Sequence, residues 1–180
     1  MNTEFEKKLL AWREKPLFLN LLCLITAVLL VYAIASLSGL PLKKLAKTAG
    51  NLGVICGLIC IAYYIAREAI VKVRKLRLKV DKAGEERVRT FMMKLRSIHH
   101  IAGTLMLYLI GIHGVLMYAA GVSLRTSRML FGGLTFLGLL AMMILGFLLI
   151  KRPALRAYHR YILMACFLTY LLHLALKFKF

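Results

Sequence analysis

Acidic residues are scarce in this 180-residue chain: seven Asp and Glu stand against 26 Lys and Arg, and none of the seven lies beyond Glu86. Proton pumps and cation transporters commonly work through Asp or Glu inside their membrane helices, and the second half of this chain has neither. There is no phosphate-cradling glycine loop, no Cys-x-x-Cys pair and no nucleophile–base set, so nothing points to catalysis of the soluble kind. Internal repeats and low-complexity tracts are absent as well. The four cysteines, Cys23, Cys56, Cys60 and Cys166, all fall inside apolar runs and none in a polar connection. They read as small hydrophobic side chains of a helix bundle.

What the chain has in excess is apolar residues, 61% of the total, with a mean hydropathy of +0.77. Soluble domains run at about 45–50%, so the surplus requires a non-aqueous solvent. A helix that crosses hydrocarbon needs about 20 mostly apolar residues. Five stretches qualify, at roughly 17–40, 51–71, 98–122, 129–150 and 158–176, the second reaching residue 71 only if Arg67 and Lys72 extend to the interface. The first is longer than the ~7–15 residues of a signal-peptide core, and no A-x-A-like cleavage site follows it. The expectation is an all-α, polytopic membrane bundle of five transmembrane helices forming a single domain. Trp12 is read as an interfacial anchor, and Pro16 fits the first turn of helix one.

A net charge of +19 would suggest nucleic acid in a soluble protein. Here the cations fall between the apolar runs and alternate in density, nineteen on one side and seven on the other. The positive-inside rule then expects the N-terminus in the cytoplasm and the C-terminus outside. The basic cytoplasmic loop at 72–96 is expected to consist of helical extensions meeting near Gly84. It suits an acidic redox partner, or else sets topology and touches anionic lipid headgroups.

The five histidines are confined to helices three and five: His99, His100 and His113 on one, His159 and His173 on the other. Ionisable residues inside a membrane are costly and mark function by default. His99 to His113 and His159 to His173 are both 14 residues, a rise of about 21 Å that ends about 40° short of four full turns. Each helix therefore presents two imidazoles on one face at opposite leaflets. His100 to His113 misses by about 140°, which makes His99 the better ligand. Both helices run outward, so His99 pairs with His159 at the inner level and His113 with His173 at the outer level.

Opposed imidazole pairs are what bis-histidine haem requires, one axial ligand from each helix. Two pairs make a ladder for two b-type haems. Flat haems need small neighbours, and Gly103, Gly111 and Gly114 on helix three, with Gly132, Gly133, Gly138 and Gly146 on helix four, are available. Arg96, Arg156 and Arg160 lie at the level of the inner propionates; Arg125, Arg128 and Lys177 lie at the outer level.

These residues resemble the ferric-reductase-like transmembrane domain family, which includes ferric reductases, NADPH oxidases and the haem subunit of bacterial methionine sulfoxide reductase systems. His99-His100-Ile101-Ala102-Gly103 resembles the family's H-[RK]-x-x-G start of its third helix. His159-Arg160-Tyr161 followed by Leu171-Leu172-His173 resembles its fifth-helix pattern. The resemblance runs from Arg96 to Leu176 and implies that His99, His113, His159 and His173 are the axial ligands. The family's usual sixth helix and flavin-binding reductase domain have no counterpart in this sequence, so flavin or NAD(P)H is expected only on a separate partner.

The expected function is transmembrane electron transfer, as the membrane component of an oxidoreductase in a bacterial inner (cytoplasmic) membrane. Electrons would come from a cytoplasmic flavoprotein or quinol and leave to an acceptor outside, with the protein supplying position and axial ligands. One alternative is a quinol-oxidising cytochrome b anchor of a larger complex. Another, of a different class, is a transporter or assembly factor whose histidines carry a metal ion; the lack of accompanying carboxylates weighs against it.

Overall fold

The computed structural model describes residues 17–37, 41–75, 82–123, 126–149 and 152–177. They form five helices: α1 Leu17–Leu37, α2 Leu42–Lys75, α3 Lys82–Ala119, α4 Ser127–Leu148 and α5 Arg156–Lys177. A 3₁₀ turn at Pro153–Leu155 leads into α5. Trp12, Pro16 and Arg125, and the side chain of Lys177, lie outside the described residues.

The chain is an all-α, multi-pass membrane bundle. Four of its helices are long and apolar enough to cross a bilayer, and α1 contributes a shorter apolar segment at Asn20–Ile34. Large apolar side chains such as Leu29, Ile65, Met164 and Leu168 stand more than half exposed on the bundle surface. That pattern is costly in water and natural against lipid tails, where helix association rests on close packing and inter-helix hydrogen bonds.

Two helix lengths differ from the sequence reading. Helix two begins at Leu42 and not near residue 51. Lys43, Lys44 and Lys47 therefore sit in its first turns, which start from the Pro41 carbonyl, the acceptor for Lys44 N at 2.9 Å. Helix three begins at Lys82, and Gly84 lies inside its first turn instead of at a bend. At ~1.5 Å per residue, the 34 residues of α2 and 38 of α3 measure about 51 and 57 Å, well beyond the ~30 Å hydrocarbon core. The 22-residue α4 and α5 match that core. The other end of α3 stops at Ala119, short of residue 122. There Gly121 takes φ +83°, and the Gly121 and Val122 amides bond back to the Tyr118 and Met117 carbonyls. This is a Schellman close, and a left-handed residue is what it requires.

The bundle is built from two antiparallel hairpins, α2–α3 and α4–α5, with α1 against α3 and a smaller contact between α3 and α4. Small residues set the closeness of each hairpin. On α2, a Cβ at Gly53 would come within 2.7 Å of Ile110 Cδ1, and one at Gly57 within 3.2 Å of Met106 Sδ. On α4, Gly138 leaves the space that the buried Cys166 sulfur of α5 fills. The Thr135 and Thr169 hydroxyls meet 2.9 Å apart across that hairpin, and Tyr108 Oη donates to the Asn20 carbonyl at 2.9 Å, tying α1 to α3. Bonds of this kind average about 0.6 kcal/mol in a membrane, so they set rotation more than they supply cohesion.

Candidate functional site

The histidines fall on α3 and α5, the second helix of each hairpin. The two outer rings are fixed in one manner. His113 Nδ1 is 2.8 Å from the Ala46 carbonyl of α2, and His173 Nδ1 is 2.9 Å from the Arg128 carbonyl of α4. A carbonyl can only accept, so the nitrogen facing it carries the hydrogen and the ring's lone pair resides on Nε2. That tautomer, with Nδ1–H on a backbone carbonyl, is how proteins orient a metal-ligating imidazole.

The inner rings repeat the relation more loosely. His99 lies against the Cys60 carbonyl of α2, and His159 against the Met142 carbonyl of α4. In both, the buried Nδ1 has no partner in hydrogen-bonding geometry. The facing carbonyls keep the histidine spacing: Ala46 and Cys60 are 14 residues apart on α2, and Arg128 and Met142 are 14 apart on α4. Each hairpin thus holds two imidazoles against two carbonyls in the same antiparallel register.

His99 and His159 belong to different hairpins, on α3 and α5. Tyr63 of α2 rests against the His99 ring, centroids 4.6 Å apart and tilted by 33°. His100 sits edge-on to His99 at 5.6 Å. The α3 and α5 helices are not closely packed on one another along their described lengths; each is packed on its own hairpin partner. The outer histidines are each anchored within their own hairpin, and the inner ones stand on the same two helices one 14-residue interval away.

The remaining candidates divide. Arg96 is exposed one turn before His99 and within electrostatic reach of it. Arg160 donates to Glu68 Oε1 at 3.1 Å, an oxygen that also accepts from Arg67 at 2.7 Å. This cluster joins the two hairpins at the level of the inner pair. Arg128 spends its guanidinium on the Leu176 carbonyl at 3.0 Å, near the end of α5. A Cβ at Gly114 would meet nothing within 4 Å, whereas one at Gly103 would meet Cys60 Sγ at 3.8 Å. Gly114 therefore borders open space, and Gly103 faces α2. Gly111 faces Phe136, Val28 and Leu24, in the seam with α4 and α1.

Sequence reasoning missed Ala46, Cys60, Arg128 and Met142 as the ring supports. Backbone carbonyls carry no residue identity, and the only available signal was the recurrence of the 14-residue interval on the preceding helix. Among the described residues, no three of His, Cys, Asp and Glu converge as a metal-binding cluster. Comparison of the chain with protein-family models, with curated proteins and with solved structures gave no match.

Proposed function

We propose that the chain is a five-helix transmembrane electron carrier that holds two b-type haems, one between His99 and His159 and one between His113 and His173. The observation that carries the reading is the doubled register: four imidazoles in two pairs, each spaced by 14 residues, with His113 and His173 bonded through Nδ1 to a carbonyl of the hairpin partner and the buried Nδ1 atoms of His99 and His159 left without a partner. A lone core histidine needs one partner and no counterpart. Four rings at one repeated interval, two of them with matched carbonyl supports, fit a shared ligation plan better.

The residues fit the group on three counts. The outer tautomers place the lone pair on Nε2. The inner Nδ1 atoms are buried without partners, as orphaned donors or ligand nitrogens awaiting a bound group would be. The two ligand helices are not packed tightly on each other, and Gly114 borders open space on α3. When bound, such haems supply one-electron redox chemistry at two depths of the bilayer. The chain's own residues hold the rings, exclude water with apolar helix faces, and place Arg96 and Arg160 as cations beside the inner pair. The Glu68 carboxylate keeps Arg160 oriented through its bridge.

In this reading the N-terminus is cytoplasmic and the C-terminus outside, because the cation-rich connections then face the cytoplasm. Electrons enter from a cytoplasmic flavoprotein or from quinol, and a quinone-analogue titration separates the two donors. The metal-transport reading has less support, since a protein-only metal site takes three or more side-chain ligands and the described residues bring no such group together.

The test is haem content in four single variants. His99→Ala and His159→Ala should each lose the inner haem and keep the outer. His113→Ala and His173→Ala should do the reverse. Loss of both haems from all four would remove the pairing, and undiminished haem in any of them would remove that residue from the ligand set.

A further inference from the structure

Two glycines occupy the same place in the two hairpins. Gly50 follows Ala46 by four residues on α2, and Gly132 follows Arg128 by four on α4, so each lies one turn along the helix on the face that carries the accepting carbonyl. A Cβ at Gly50 would stand 2.9 Å from His113 Nδ1 and 3.3 Å from its Cε1. At Gly132 it would stand 3.2 Å from both Cε1 and Nδ1 of His173. The obstructed group in each case is an aromatic ring held by a hydrogen bond, not the loose end of a flexible chain. The inner level has no such arrangement. Four residues after Cys60 stands Tyr64, and four after Met142 stands Gly146, whose Cβ would meet nothing within 4 Å.

Resting on the haem reading above, we propose that Gly50 and Gly132 are positioning residues that set the rotation of the two outer axial imidazoles about their Nδ1–carbonyl hydrogen bonds. A side chain at either place pushes the ring off its carbonyl. The Nδ1–H···O bond raises the basicity of the coordinating nitrogen, so weakening it makes the imidazole a poorer donor and stabilises the ferric state less. The outer potential rises, and the relative orientation of the two ring planes changes with it. The inner pair is untouched, because His99 and His159 stand 14 residues, about 21 Å, further along the helices.

The experiment is a potentiometric titration of purified Gly50→Ala and Gly132→Ala proteins, with electron paramagnetic resonance of the low-spin ferric signals. Gly53→Ala serves as the matched control. A Cβ at Gly53 meets Ile110 and Leu109 and not a histidine. The result expected is an upward shift of the outer potential with altered outer resonance in both test variants, or selective loss of the outer haem. Gly53→Ala should lower thermal stability without moving either potential. Wild-type haems with unshifted potentials and resonances in both test variants would overturn this inference alone, as would an equal shift in Gly53→Ala. Wild-type protein that binds no haem would overturn the inference together with the reading beneath it.

Discussion

At the residue scale the four histidines separate by what supports them. His113 and His173 are locked by carbonyl bonds of 2.8 and 2.9 Å. His99 and His159 lie near carbonyls without bonding them, and His99 has Tyr63 alongside. His100 is the neighbour that helical geometry sets off the shared face, and its ring meets His99 edge-on at 5.6 Å. His100→Ala should therefore retain both haems with an unchanged visible spectrum; loss of one would make His100 the ligand in place of His99. Sequence spacing was sufficient to single out the ligand candidates, because an imidazole in an apolar run is conspicuous and its angular position follows from the helical repeat. It was not sufficient for Arg160, whose bridge to Glu68 depends on how two hairpins approach. Arg128 was assigned by level alone, and its guanidinium is taken up by the end of α5.

At the element scale the unit is the antiparallel hairpin, and each is closed by small residues facing larger partners. Cys166 enters the space at Gly138 so closely that a methyl group there must displace it. Overpacking of this kind costs roughly 1–3 kcal/mol. Gly138→Ala should lower the melting temperature of the detergent-solubilised protein, and adding Cys166→Ala should restore most of the loss. A Gly138→Ala protein as stable as wild type would mean that α4 and α5 are not this close. Helices four and five and the end of helix three were legible in the sequence within a few residues, since long apolar runs bounded by cations leave few alternatives. The start of α2 was not. Three lysines followed by Gly50 carry the composition of a connection, whereas Ala46, Ala49, Gly50 and Gly53 form the face turned to α3. Lysine stems reach the interface from a membrane helix, so their charge does not mark where the helix begins.

At the scale of the whole molecule, α2 and α3 run far past the apolar span while α4 and α5 do not. Beyond His99, α3 continues for 17 residues towards its start, and α5 begins three residues before His159. The bundle therefore carries a basic helical extension on the side of the inner pair, with Arg87, Arg89, Lys94 and Arg96 exposed along α3. On the proposed orientation, with the cation-rich connections facing the cytoplasm, reporters fused to the two termini should read cytoplasmic at the N-terminus and external at the C-terminus. The opposite result would invert the inner and outer assignments while leaving the histidine pairs intact. The central claim is the ligation itself, and its most direct measurement is a dithionite-reduced minus oxidised visible spectrum of the purified chain, with haem quantified per polypeptide after expression under ample haem supply. The account predicts a low-spin b-type spectrum and about two haems per chain, as two bis-histidine sites require. A chain that is folded, histidine-intact and free of haem would contradict it.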